Sequence, residues 1–260
     1  MIAHDVDNLR YYTFRSFDWP WLVHGIFARH GGVSPSPWSS LNMSISVGDS
    51  RENVRANRER AFRALGRDPR SVADTWQVHS ADVVVAEAPR DLSVDAPKAD
   101  ALITDRPDIT LFQRFADCAP ILLVDPKRRA VGIVHAGWRG TLNRIVVATV
   151  RALTERYGSR PADLFAGIGP SIGPERYEVG PEVVAQARAV FDGRAERVLI
   201  SREGRWHLNL WAANELLLRD AGVGQIEISG LCTAGRTDEF FSHRGERGQT
   251  GRFGALIAID

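Results

Sequence analysis

Three side chains in this chain have the types and placing to do chemistry together: Cys118, His135 and His79. Cys118 and His135 share one stretch, Arg114 to Thr141. It reads as two apolar strands, Ile121 to Asp125 and Ala130 to His135, joined by a basic turn opened by Pro126. If Asp125 pairs with Ala130, Pro120 falls opposite His135 and Cys118 lies diagonally beside it. Diagonal neighbours on one face of a ladder are about 7–8 Å apart. The pairing should weaken at Pro120, which has no N–H to donate. A soft thiol and an imidazole therefore converge at one end of a hairpin. Such a pair serves as nucleophile and base or as two ligands of a soft metal site. It is also compatible with a buried Cys acting as a small hydrophobe beside a His that ends a strand.

His79, in Trp76-Gln-Val-His-Ser80, ends a short apolar run and begins a turn. Three protein ligands with a fourth position open to water are the pattern of a catalytic zinc site. No short local motif ties the three residues together, so spacing alone leaves the metal, nucleophile and packing readings open. Asp117, beside Cys118, is a candidate partner for a ligating His or a general base. Strand alternation points it to the opposite face from Cys118, which favours a structural role. Trp138 has the shape to stack on a purine or simply to pack.

These residues need elements to aim them. Trp21 to Ala28 is an apolar strand candidate, followed by the loop Arg29-His-Gly-Gly-Val-Ser-Pro35, and Leu41 to Val47 alternates as a half-buried strand does. Ser50 to Leu65 reads as a helix capped by Asp49 or Ser50, with Val54, Ala61, Phe62 and Leu65 on one face. Its arginines at 51, 55, 58, 60 and 63 are interleaved with Glu52 and Glu59 and read as a solvated face. Val72 to His79 and Asp82 to Ala88 are expected to form a hairpin. Ala101 to Thr104 and Ile109 to Phe115 are further strands. After the Cys/His hairpin, a corner, Gly137-Trp-Arg-Gly140, leads into a helix opening at Thr141 or Asn143 and running to Tyr157.

Asp163 to Ile168 is a strand, and Pro181 to Phe191 is a helix with Pro in its first turn. Short strands at Arg197 to Ile200 and Trp206 to Leu208, a helix from Leu210 to Asp220, and strands at Gln225 to Ser229 and Phe253 to Ile259 complete the chain. Strands outnumber helices and strict βαβ alternation is absent. The expected fold is α/β of the α+β type: a mixed, largely antiparallel sheet, or two packed sheets, with helices outside. No linker divides residues 1–260, so a single catalytic domain is expected.

Composition narrows the function classes. The chain has 260 residues, 44% of them hydrophobic, enough for a sizeable core. A net charge of +1 gives no global attraction to nucleic acid or anionic membranes. No apolar run is long enough to span a bilayer. Two cysteines do not make a disulfide framework. With no basic stretch followed by an apolar core in Met1 to Asp7, a cytoplasmic setting is expected, where Cys118 stays reduced. Gly167-Ile-Gly-Pro-Ser-Ile-Gly173 has its third glycine one place late and Pro170 where a dinucleotide-binding helix would start. There is no P-loop, no His-Glu-x-x-His and no cytidine-deaminase signature. The seven histidines include no His-x-His pair of the kind a multicopper cluster uses.

Gln77-Val-His-Ser80, Ala116-Asp-Cys-Ala-Pro120 and Val134-His-Ala-Gly-Trp-Arg-Gly-Thr141 resemble three signatures of the multicopper polyphenol oxidase, or laccase-like, family. That family is now regarded as zinc-dependent purine nucleoside phosphorylases with adenosine deaminase side activity. Ala28-Arg-His-Gly-Gly-Val-Ser34, Leu41-Asn42, Tyr177-Glu-Val-Gly180, Leu210-Trp-Ala-Ala-Asn214, Phe240-Phe-Ser-His-Arg244 and Thr250-Gly-Arg252 extend the likeness through nearly the whole chain. His243 stands where the family usually has Tyr, and Ala234 to Asp238 lacks a second Cys often found there.

The resemblance implies one Zn²⁺ on His79, Cys118 and His135, with Cu²⁺ a possible substitute because copper outcompetes zinc at most N/S ligands. It implies purine nucleosides (adenosine, inosine and methylthioadenosine) and inorganic phosphate as partners, with adenosine also deaminated at C6. Arg29 is the first candidate for phosphate and Asn42 for substrate, with Arg139 and Arg244 as further candidates. Neither nucleic acid nor membrane is an expected partner, and a monomer or small homo-oligomer is expected. The competing readings are a Cys–His hydrolase or amidase, a copper-loaded polyphenol oxidase activity, and a zinc-stabilised binding protein.

Overall fold

Residues 1–260 are described by a computed structural model. The first sheet runs, in spatial order, β1 (Ile2–Val6), β2 (Leu9–Thr13), β3 (Leu22–Phe27), β15 (Phe253–Ile259), β7 (Thr110–Phe115) and β4 (Val72–Ala73). The second runs β14 (Gln225–Ile228), β10 (Phe165–Ile168), β8 (Ala119–Asp125), β9 (Ala130–Ala136), β6 (Ala101–Thr104) and β5 (Val83–Val85). A small third sheet joins β11 (Glu178–Val179), β13 (Arg205–Leu208) and β12 (Leu199–Arg202). The helices are α1 (Arg51–Ala64), α2 (Trp138–Leu142), α3 (Ile145–Tyr157), α4 (Pro181–Phe191) and α5 (Leu210–Asp220). Pairing is mostly antiparallel, as expected of two packed sheets with helices outside. The parallel contacts are β4 on β7, β5 on β6 and β10 on β14.

Alternation along the strands sorts the core into layers. On β8 and β9, Ile121, Leu123 and Val134 face α3 and α5. Their neighbours Leu122, Val124, Val131 and Ile133 face Leu111, Phe115, Ala255 and Ile257 of the first sheet. On the far side of that sheet, Phe27, Phe112 and Leu256 pack on Ala61 and Phe62 of α1. The result is helix, sheet, sheet, helices. His135 continues the face of Val131 and Ile133 and so points into the seam between the sheets, with its ring 5.5 Å from Phe115.

Several elements differ from the sequence reading, each for a local reason. Val72–Ala73 and Val83–Val85 do not form a hairpin: the first pairs with β7 in one sheet and the second with β6 in the other. The chain crosses between sheets from Asp74 to Asp82, carrying His79. Leu41 to Val47 is not a strand; the Asn42 side chain bonds to Ser44 N and Ser44 O, offering the backbone a partner in place of a ladder. The helix to Tyr157 opens at Ile145 rather than at Thr141 or Asn143, and the corner before it is itself a short helix, α2, because Arg144 takes a left-handed conformation (φ 61°) between the two. A hairpin of β1 and β2 opens the chain, and its two-residue turn, Asp7-Asn8, has φ 49° and 65°. That dipeptide is a hairpin signal, since Asn and Asp tolerate positive φ.

His24 on β3 sets an acid limit on this sandwich. Its Nε2 accepts the Phe14 N–H at 2.9 Å, so the folded state needs a neutral ring there. Burial pushes its pKa down to about 4 from 6.5. Between those values the unfolded chain holds more protons than the folded one. This contribution is therefore full above pH 6.5 and is lost as pH falls toward 4, by about 3 kcal/mol in all. Urea unfolding at pH 7 and pH 4.5 should show the loss, and His24→Gln should flatten the pH slope in that window.

Candidate metal centre and its cavity

The turn after β4, the crossing from β7 to β8, and the end of β9 bring three donors together. The ligand atoms of His79, Cys118 and His135 all lie within 4.8 Å of one another. The register is the expected one, with Asp125 on Ala130 and Pro120 on His135. The ladder does not stop at Pro120 but continues to Ala119 opposite Ala136. His79 has φ 62°, and its ring lies 5.1 Å from that of His135.

Asp100 fixes this geometry, and sequence reasoning missed it. Its Oδ1 lies 2.8 Å from His135 Nδ1, which leaves Nε2 for a metal. Its Oδ2 accepts from Val78 N, Ser80 N and Ser80 Oγ, at 3.1, 2.7 and 3.1 Å, and so holds the turn that presents His79. The only signal was an acidic residue heading strand Ala101–Thr104. Burial pushes the Asp100 carboxyl up, but the hydrogen bond and charge of His135 and the turn amides outweigh it and hold it below the usual range. Asp100→Asn should lower metal affinity by about 10–100-fold, measured by competition with a chromophoric chelator.

The donor set suits a soft or borderline metal. Burial pushes the Cys118 thiol up, but the His135 charge and hydrogen bonds from both histidines reverse this and bring it down to about 6. Burial pushes the His135 ring down, yet the Cys118 charge and the Asp100 bond lift it to about 9. Cys118 is therefore a thiolate at neutral pH, the form a metal needs. Close approach depends on Gly137, where a Cβ would sit 2.7 Å from Cys118 Sγ and 3.4 Å from His79 Cδ2. Two imidazoles, a thiolate and that cradle fit a tetrahedral ion with one position left over.

The three donors line a cavity of about 710 Å³, within the range of small-molecule sites. Trp138, Tyr177, His243 and Arg244 line it too. Arg244 lies over the Tyr177 ring at 5.3 Å and donates Nη1 to Glu178 O. Asp117 (φ 88°) accepts from Thr233 Oγ1, Ser242 Oγ and Arg244 N, which ties the C-terminal wall to the residue before Cys118.

Arg29 and Asn42 are not brought to the cavity wall. Arg29 donates to Ser39 O and Thr237 O, pairs with Glu246 at 2.9 Å and stacks on Phe241. Asn42 is fully buried and bonded to Ser44, Asp49 and Arg252 N. Arg139 is exposed and stacks on Trp138 at 4.9 Å. It sits in α2, a five-residue helix in place of the expected non-helical corner. Conversely, Arg58 does not belong to a solvated face: it lines the cavity together with Arg90, Arg114 and Arg252.

Two packed mixed sheets with a His/Cys/His group in a cavity at their seam define a mixed α/β protein with a candidate metal centre. The chain belongs to the family described as multi-copper polyphenol oxidoreductase laccase, whose family model matches residues 23–260. A purine nucleoside phosphorylase of Deinococcus radiodurans is 43% identical over 238 residues, 92% of this chain and 89% of the relative. One from Bacteroides thetaiotaomicron is 35% identical over 249 residues, 92% of each chain. The crystal structure of YlmD from Geobacillus stearothermophilus matches with a TM-score of 0.92 at 34% identity, covering 98% of this chain and 97% of that one. No helix of the chain is long and apolar enough to cross a membrane.

Proposed function

We propose that the chain is a purine nucleoside phosphorylase acting on adenosine, inosine and methylthioadenosine with inorganic phosphate, and that it also deaminates adenosine at the same site. His79, Cys118 and His135 would hold Zn²⁺. The observation that carries this reading is the His/Cys/His group within a nucleoside-sized cavity, in a chain whose relatives of nearly equal length bear that name.

In phosphorolysis a phosphate oxygen bonds to C1′ of the ribose while the C1′–N9 bond breaks. The electron pair leaves with the purine, which takes up a proton. In deamination water adds at C6 and ammonia leaves. Zn²⁺ held by His79, Cys118 and His135 would supply Lewis acidity to the cavity. The chain supplies the rest. Asp100 orients His135, and Asp117 holds the wall that carries Arg244. Trp138 and Tyr177 offer aromatic faces to a base, and Arg244, which lines the cavity, contacts the substrate; Arg139 stacks on Trp138. Two imidazoles and a thiolate also accept Cu²⁺, so a copper-loaded sample should show weak polyphenol oxidation.

The thiolate of Cys118 beside the protonated ring of His135 favours one other reading, a Cys–His hydrolase or amidase. A product assay tests the phosphorylase and deaminase activities. Metal-analysed protein is incubated with adenosine, with and without phosphate, and adenine, ribose 1-phosphate and inosine are resolved. Phosphate-dependent adenine and ribose 1-phosphate support the phosphorylase, and inosine supports the deaminase. Stoichiometric zinc with no nucleoside product rules out both.

A further inference from the structure

The cavity carries more positive charge than its own carboxylates balance. Arg58, Arg90 and Arg114 converge on one carboxylate, Asp74, which is 3% exposed. The Arg114 Nη1 and Arg58 Nη1 atoms stand 3.4 and 3.6 Å from its Oδ2, and Arg90 Nε bonds to its Oδ1. Three guanidiniums against one carboxylate leave two charges over, on side chains that are at most 22% exposed. Burial, helped by the charges of Arg114 and Arg90 and opposed by that of Asp74, pushes the Arg58 pKa down to about 10.

Arg252 lines the same cavity, with the charges of Cys118, Asp117 and Glu246 acting on its guanidinium. Its N–H donates to Asn42 Oδ1 at 2.9 Å, and its carbonyl accepts Met43 N at 2.9 Å. Met43 O in turn accepts Arg58 Nε at 2.9 Å. One dipeptide, Asn42-Met43, thus braces both arginines. Arg252 Nη1 is used by Thr250 O and Gly251 O. Its Nε and Nη2, and Nη2 of Arg58, make no hydrogen bond to the protein. The group also shares a frame with the metal residues. Arg114 and Gln77 bond to each other side chain to backbone, Arg114 Nε also donates to Gln77 Oε1 at 2.9 Å, and His79 follows two residues later.

We propose that Arg58 and Arg252, braced by Asn42-Met43 and backed by Arg90 and Arg114, form a subsite for a tetrahedral oxyanion, inorganic phosphate in the reaction above. The assignment of phosphate as co-substrate rests on the phosphorylase reading; the anion site itself does not. Planar guanidinium edges with spare N–H groups match phosphate oxygens two by two, and the anion neutralises charge the protein leaves uncompensated. Asn42 then acts as a positioning residue that never touches substrate, and Arg29 braces a loop elsewhere.

The test uses Arg58→Gln, Arg252→Gln and Arg58→Lys, with inorganic phosphate as the probe. Each Gln variant should raise the phosphate KM at least about tenfold, the worth of one charge-assisted hydrogen bond, while the nucleoside KM moves less than about threefold. Arg58→Lys keeps the charge without the fork and should fall between. Without nucleoside, phosphate should raise the wild-type Tm and leave that of Arg252→Gln unmoved; Tm values without phosphate show whether each variant folds. Wild-type phosphate KM and thermal shift in both Gln variants overturn the subsite, even if phosphorolysis is confirmed. An Arg252-dependent thermal shift in a protein that releases no purine keeps the subsite and discards phosphorolysis.

Discussion

Replacing His79 with Ala should abolish stoichiometric metal binding and cut phosphate-dependent purine release by about 10³-fold. The magnitude follows from the several kcal/mol that a bound cation contributes as a Lewis acid, at 1.36 kcal/mol per tenfold in rate. The fold should survive, because His79 is an exposed turn residue that packs no core. Its φ of 62° adds a modest strain for Ala, so His79→Asn, which tolerates that conformation, is the companion variant. Cys118→Ser cannot discriminate, since it disables a metal site and a nucleophile alike. His79 can: a Cys118–His135 hydrolase has no necessary use for it. Metal content by mass spectrometry beside the product assay decides the matter, and a His79→Ala enzyme with wild-type turnover would exclude the three-ligand centre.

Gly137→Ala should be nearly as damaging through a single methyl group. The added carbon would lie 2.7 Å from Cys118 Sγ, closer than real contacts allow, and 3.4 Å from the His79 ring. The Gly137 backbone (φ −80°, ψ 177°) is open to any residue, so the substitution carries no backbone strain of its own. The damage should fall on the donors. Metal affinity should drop by about 10–100-fold, as when a ligand's supports are disturbed. The Tm of the metal-free protein should move by no more than about 3 °C. Chelator competition and thermal unfolding of the same sample check both halves. A large fall in Tm with metal affinity intact would mean that Gly137 serves the fold and not the site.

What could be read from the sequence was whatever is local. The β8–β9 register followed from one Pro-opened turn, and it put Pro120 opposite His135 as found. Ser50 at the start of α1 and Pro181 at the start of α4 marked those helices by capping chemistry that needs no distant partner. What failed depended on partners far along the chain. Alternation shows that Val72–Ala73 and Val83–Val85 are strands, but carries no information about which sheet each joins. The charge pattern of α1 marks Arg58 as a surface residue, and only Asp74 and Phe112, brought from elsewhere, make it a cavity wall. Asp100 heads a strand like many other acids, and its role exists only once His135 arrives beside it.

The two crossings between the sheets have a mechanical consequence. His79 lies on the passage from β4 to β5, and Cys118 on the passage from β7 to β8; both passages leave the first sheet and enter the second. His135 belongs to the second sheet outright. The distances among the three donors therefore gauge how far one sheet has slid over the other. A substitution deep in the shared core, at Phe115 or Ile257, should disturb the donor spacing as well as lower stability. A chain with either sheet still unstacked does not bring the three donors together at all.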